Sequence, residues 1–164
     1  MPSGIVTGIF IARKAEAPME ELQKVEAIAG QGLLGDRYAT GHGSYNRGEP
    51  GKRQVTLIRE EWFPGTSFAP SESRRNIVIR GTELYWLIDR WFTLGTAILR
   101  GVKYCEPCLK PGALIGNGAR FEDEFSDRGG LIAEVLQSGN VALGDYLIRP
   151  QREDKEWPPV PEHV

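Results

Sequence analysis

The sequence predicts a mostly β fold, a closed or nearly closed β-barrel of seven to eight short strands with a few short helices at its periphery. Three observations carry this expectation. Short β-branched and aromatic runs recur along the whole chain, and its 20 glycines and 11 prolines punctuate them at close intervals. Regular crossover helices between the runs are missing, which argues against a doubly wound parallel sheet and for a barrel or sandwich.

The first run, from Gly4 to Ala12, reads as a strand because Ile5, Val6, Ile9, Phe10 and Ile11 are β-formers and Gly4 and Gly8 disfavour a helix. Further strands are predicted at Val25 to Ala29, Gln54 to Ile58, Asn76 to Ile79, Phe92 to Leu94, Ala97 to Cys105, Leu131 to Leu136 and Tyr146 to Arg149. Leu94, Gly95 and Thr96 mark a tight hairpin. Gln137 to Asn140 and the pair Gly144, Asp145 mark two later turns, so antiparallel neighbours are expected. Three helical signals stand among them. Thr82 caps a turn or two carrying Leu84, Leu87 and Ile88; Arg59 to Phe63 is stopped by Pro64; Arg120 to Arg128 places Phe121 and Phe125 on one face before Gly129.

The 164 residues suit one ordinary domain, assigned to residues 1–149, followed by a Pro- and charge-rich tail over 150–164 that Trp157 could pin down. With 40% hydrophobic and 26% charged residues the composition is that of a folded, water-soluble protein. A formal net charge of −2 provides no global positive field, which disfavours a nucleic-acid or anionic-membrane partner. No apolar run approaches a transmembrane span and no secretory signal opens the sequence, so the expected location is cytoplasmic.

Chemistry concentrates in two places. Cys105 and Cys108 are the chain's two cysteines, too close together to staple a fold. Alternation along the preceding strand puts Val102 and Tyr104 on one side and Lys103 and Cys105 on the other, leaving Cys108 in the turn that follows. Lys110 favours a thiolate there and Glu106 opposes it. Two readings stand: a reactive turn thiol, or a pair of small, buried, inert cysteines. Structural zinc would need His42 and His163 as further ligands, and a thioredoxin-like dithiol would need a βαβ unit that this pattern does not supply.

Arginines outnumber lysines 14 to 6, and residues 37–80 hold seven arginines and Lys52 against four glutamates. A cluster of Arg37, Arg53, Arg74 and Arg75 would suit a small anion, because the planar guanidinium pairs bidentately with phosphate or carboxylate. Arg74 and Arg75 stand out, since they enter the strand through Asn76 and a strand end is a rigid mount. The glycine-rich turn at Gly32, Gly35, Asp36 and Arg37 leads into a polar loop, Ala39 to Gly51, that reads as a cleft wall or lid. It fails the Walker pattern.

In order along the chain stand Gly35, Asp36, Arg37, Tyr38; Arg53, Gln54, Val55; Arg74, Arg75, Asn76, Ile77, Val78, Ile79, Gly81 and Leu84; Cys105, Glu106, Pro107, Cys108; Arg128, Gly129, Gly130; and Gly144, Asp145. Together these resemble the MOSC domain, named for the C-terminal domain of molybdenum cofactor sulfurase, from about Gly4 to Arg149. The resemblance implies a β-barrel with a cleft for the molybdenum cofactor (molybdopterin). It implies Cys108 as the molybdenum ligand and catalytic thiol, with Arg37, Arg53, Arg74, Arg75 and Asn76 along the cofactor's pterin and phosphate. The implied reaction is reduction of an N-hydroxylated base or amidoxime with electrons from a separate donor protein.

The rival reading is a sulfur carrier in which a cysteine desulfurase loads a persulfide on Cys108 and Cys105 resolves it. The accompanying domains of the larger members have no counterpart in this sequence, so the expectation is a stand-alone, single-domain member. The histidine frequent after the Gly-Asp-Arg triplet is Tyr38 here.

Overall fold

Each β-branched run singled out above forms a strand in the computed structural model, which describes residues 4–46 and 48–149. The strands are β1 (Gly4–Ile11), β2 (Glu20–Glu21), β3 (Lys24–Ile28), β4 (Gly32–Leu33), β5 (Val55–Arg59), β6 (Ile77–Arg80), β7 (Trp91–Leu94), β8 (Ala97–Tyr104), β9 (Leu131–Gln137), β10 (Gly139–Ala142) and β11 (Tyr146–Ile148). Three short helices accompany them, α1 (Arg37–Thr40), α2 (Lys110–Ile115) and α3 (Phe121–Glu124), with 3-10 turns at Glu60–Trp62, Pro70–Ser73 and Tyr85–Leu87. The predicted tail, 150–164, lies outside the described residues.

Seven strands close the barrel in the order β11, β7, β8, β9, β5, β6, β1, and pairing of β1 with β11 seals it, with Gly4 opposite Leu147. Closure removes the exposed edges that an open sheet of this size would present. The short β2 extends β1, while β10, β3 and β4 form a separate three-stranded sheet. Ile9, Leu57, Ile77, Phe92, Leu99 and Leu131 are among the residues that fill the barrel interior, each essentially inaccessible to solvent. A second cluster of Phe10, Phe63, Phe68, Phe121 and Phe125 packs outside it, with the rings of Phe121 and Phe125 stacked at 4.4 Å.

Four expectations are corrected. The neighbours β5 and β6 run parallel, because the long connection over residues 60–76 carries the chain back to the same end of the barrel. The region read as a turn at Gln137 to Asn140 contains the start of β10, whose Val141 is buried opposite Val25. The helix expected over Arg120 to Arg128 stops after one turn, with Phe125 at φ −112° as its C-cap and Asp127 turning the chain further at φ 60°. A register shift between Gly101 and Lys103 breaks the alternation of β8, so Val102 and Lys103 are both exposed. The helices α1 and α2 gave too little periodic signal to be anticipated, being four and six residues long.

Register then explains where a site can form. Leu57 pairs with both Ile77 and Leu131, and Leu131 with Tyr104, so all four lie at one level of the wall. The chain entering β6 through Arg74, Arg75 and Asn76 therefore meets the chain leaving β8 through Cys105 to Cys108. Asn76 ties this end together. It is fully buried, its Oδ1 accepts from the Thr56 amide at 3.0 Å and the Thr56 hydroxyl at 3.1 Å, and its Nδ2 donates to the Phe10 carbonyl at 3.0 Å.

Replacing Asn76 with alanine would strand a buried amide and a buried carbonyl on two neighbouring strands. Each orphaned group costs roughly 1–3 kcal/mol, which in a domain of this size lowers the melting temperature by roughly 5–15 °C in total. A thermal melt followed by circular dichroism tests this, and an unchanged transition would contradict the clasp.

Candidate functional site

The Gly35 to Tyr38 turn is built around a buried carboxylate. Asp36 is inaccessible to solvent; its side chain caps α1 by accepting from the Tyr38 amide at 3.2 Å and also accepts from the Ala12 amide at 3.0 Å. Arg37 pairs with Asp36 at 3.0 Å, and its other nitrogen donates to the Arg74 carbonyl and the Tyr38 hydroxyl, both at 3.1 Å. The motif thus fixes a buried cation at the end of β1.

Arg74 ends the 3-10 turn at Pro70–Ser73 with φ 63°, a left-handed conformation that non-glycine residues seldom hold. Its Nη1 donates to the Ala17 carbonyl at 2.7 Å, and its Nη2 is buried without a hydrogen-bond partner. Burial, and next the neighbouring Arg37 guanidinium, push Arg74 down to about 10, so it stays charged at neutral pH. Arg75 donates from Nε to the Gly129 carbonyl at 2.6 Å and from Nη2 to the Glu106 carbonyl at 3.3 Å, with its guanidinium 5.3 Å from the centre of the Phe121 ring. It therefore clamps the very turn that carries Cys108. A Cβ at Gly129 would overlap the Cys105 carbonyl oxygen and Pro107, so that close approach requires glycine.

These groups line one cleft together with Tyr38, Ser44, Tyr45, Arg53, Lys110 and Pro111. Of the sequence-predicted site residues, Cys108, Arg37, Arg53, Arg74 and Arg75 converge there. Asn76 does not line it; its amide is spent inside the wall on Thr56 and Phe10. Cys105 is fully buried where β8 ends and its thiol is not on the cleft, whereas Cys108 is half-buried on the cleft wall. His42 lies outside the cleft, beside Thr40. Among the described residues no group of three His, Cys, Asp or Glu side chains is placed to hold a metal ion.

Sequence reasoning missed Tyr38 and Tyr45 as site residues. Tyr45 lines the cleft with Cys108, and the Cys108 side chain, then burial, push its phenol up to about 12. Arg37 lies 4.2 Å from the Tyr38 ring centre, Arg53 5.8 Å from the same ring and 4.3 Å from the Tyr45 ring. Cations and rings thus alternate from the core to the cleft mouth. Lys110, at the start of α2, reaches across to the Ser44 hydroxyl and lies 3.5 Å from Glu16. The available signal was the pairing of tyrosines with arginines in one stretch, Arg37–Tyr38 and Tyr45 ahead of Arg53.

What the arrangement can do follows from its charges. Neither Arg74 nor Arg75 has a carboxylate at salt-bridge distance among the described residues; backbone carbonyls take their hydrogen bonds, and Asp36 and Glu16 act on Arg74 only from further away. A buried guanidinium nitrogen with no acceptor leaves a charged donor free for an anion. Inorganic phosphate is expected to raise the melting temperature. At one hundred times its dissociation constant the stabilisation is about 2.7 kcal/mol, roughly 5–10 °C for a domain of this size, beyond a sodium chloride control of equal ionic strength. Arg74→Gln should abolish most of that shift, and a full shift in the variant would place the anion elsewhere.

Comparison with known proteins adds to this geometry. No curated protein matches the chain. The YuaD protein from Bacillus subtilis shares the fold with a TM-score of 0.71 at 18% identity, over 90% of this chain and 96% of that one. YiiM from Escherichia coli superposes with a TM-score of 0.59 at 16% identity, over 90% of this chain and 70% of its own. YiiM from Geobacillus stearothermophilus does so at 0.57 and 15% identity, over 93% and 75%. The MOSC domain model matches residues 52–147, a stretch that holds Arg53, Arg74, Arg75 and Cys108 and spans more than half of the sequence, so the chain belongs to the MOSC domain family.

Proposed function

We propose that the cleft binds the molybdenum cofactor, with Cys108 as the thiolate ligand of the metal and the arginines as the seat of the cofactor's anionic end. The observation that carries this reading is the partnerless Nη2 of buried Arg74 on the wall of a cleft that also presents the half-buried thiol of Cys108. A soft sulfur donor and a hard cationic wall in one cleft match a ligand that is soft at one end and phosphorylated at the other. The donor set fits the group.

When bound, the cofactor supplies two-electron redox chemistry, here reduction of an N-hydroxylated base in which the N–O bond breaks and water leaves as two electrons and two protons arrive. Electrons come from a separate donor protein. The residues of this chain bind and orient. Arg75, through the carbonyls of Gly129 and Glu106, keeps the turn before Cys108 in place. Arg37 holds Arg74 from behind by its carbonyl, so the two cations are fixed relative to one another. Tyr45 lines the same cleft as the sulfur, and its phenol, pushed up to about 12, stays protonated at neutral pH.

A persulfide carrier that uses Cys105 as its resolving thiol is less well supported, because Cys105 is sealed in the core. Protein purified from cells that make the cofactor should contain molybdenum and pterin by inductively coupled plasma mass spectrometry and by pterin fluorescence. Cys108→Ser should lose at least tenfold of the metal, as expected for removal of a primary ligand. Full metal in the serine variant would overturn the assignment, and a gain of one sulfur atom on Cys108 after incubation with a cysteine desulfurase and cysteine would favour the carrier.

A further inference from the structure

The cleft is narrow, and one aromatic ring on its wall stays half exposed. Its free volume is about 30 Å³, enough for a water molecule or two and far below the hundreds of Å³ that a drug-sized heterocycle occupies. Tyr45 lines the cleft together with Cys108, 51% exposed, with its ring 4.3 Å from the Arg53 guanidinium. An aromatic ring half in water that stacks on a site guanidinium, in a cleft it shares with the Cys108 thiol, takes up space that a flat ligand would need.

We propose that Tyr45 is an internal stand-in for a ligand's flat ring, covering the face of Arg53 and the Cys108 thiol until a planar anionic heterocycle displaces it. This deepens the reading given above and rests on it. The displaced state gives up the Ser44–Lys110 bond and keeps the ties at the base of the loop. The loop is tied at its base by the Gly48 amide on the Gly41 carbonyl and the Gly51 amide on the Tyr38 carbonyl, so the tyrosine and its neighbour Ser44 can swing without unravelling the rest. Arg53 keeps Tyr38 at 5.8 Å and offers the incoming ring the face it now offers Tyr45. Lys110, released from Ser44, joins the unpartnered Arg74 nitrogen as a second donor for the ligand's charge. Guanidinium faces stack on planar π-systems, and a ligand must be flat as well as anionic to use both features.

The proposal separates binding of a small anion from binding of a ring. In a self-covered site the apparent affinity of a ring ligand is reduced by the fraction of time the cover is open. Pterin-6-carboxylate, followed by its own fluorescence, and inorganic phosphate, followed by calorimetry, are the two probes for the wild type, Tyr45→Ala and Tyr45→Phe. The alanine variant should bind the pterin roughly tenfold more tightly, the phenylalanine variant by an intermediate factor, and phosphate should change by less than about twofold in both. A pterin affinity that is unchanged or weaker in Tyr45→Ala, a parallel rise for phosphate, or no pterin binding by any of the three proteins would each overturn the proposal.

Thiol access gives a second readout that needs no ligand. Tyr45→Ala should accelerate modification of Cys108 by a bulky aromatic disulfide more than by a methyl thiosulfonate, with Cys108→Ser as the blank. Equal acceleration would show that the ring does not cover the sulfur. Metal and pterin content of the purified protein reports on the cofactor assignment separately, so failure of one reading is distinguishable from failure of the other.

Discussion

Three buried guanidinium groups held by backbone carbonyls are the constraint on which this end of the barrel depends. Arg37 donates to the carbonyl of Arg74, Arg74 to that of Ala17, and Arg75 to those of Gly129 and Glu106. Each bond ties together two segments far apart in sequence, so the cations act as rivets for loops that make few other contacts. The chemistry suits the task. A guanidinium presents several donors in a fixed plane and can satisfy carbonyls from more than one segment, which an ammonium on a flexible stem does less well. Only Arg37 is matched by a carboxylate, at Asp36. The remaining charge is left facing the cleft, and a structural device thereby becomes a recognition surface.

The barrel supplies the frame for that device through its register. A parallel pair within an otherwise antiparallel wall brings the start of β6 to the level where β8 ends, so the arginines and the Cys108 turn meet without a long excursion by either segment. Strain accompanies the placement. Arg74 sits in a left-handed conformation, a cost of order 1–3 kcal/mol that the surrounding bonds must offset. The same conformation turns its carbonyl toward Arg37 while the side chain reaches Ala17, an arrangement that ordinary strand geometry at this position would not give.

Much of the fold was legible because strand signals are local. Isoleucine, valine and phenylalanine runs between glycines identified eight strands to within about a residue, and the resemblance to the MOSC family pointed to the cationic residues and Cys108. What was not legible depended on partners distant in sequence. Gly139 to Ala142 looks like a turn until β3 is beside it, and the one-turn helices carry no periodicity. Asn76 is adjacent to two site arginines in sequence, yet strand alternation and the Thr56 hydroxyl draw it into the wall. The separation of Cys105 from Cys108 followed from burial at the end of β8, which the CxxC spacing does not encode. Tyr45 and Cys108 meet on one cleft from two loops far apart in sequence, which left no trace in spacing.

The tyrosines help to offset the positive charge gathered in this small cleft. Carbonyl dipoles satisfy most of the guanidinium hydrogens, and the electron-rich faces of Tyr38 and Tyr45 lie against the planes of Arg37 and Arg53. A cation over a ring gains about 0.5–2 kcal/mol depending on its exposure, enough to order the cleft and too little to rival a charge-assisted bidentate bond to a true anion. The contacts are graded by depth: Tyr38 is buried and fixed to Arg37 through its hydroxyl, while Tyr45 is half in solvent. The inner pair is therefore architecture and the outer pair is exchangeable, and the boundary between them falls at Arg53, which touches both rings. A histidine in place of Tyr38 could add a further cation beside Arg37, whereas the tyrosine offers Arg37 a ring face and a hydroxyl acceptor.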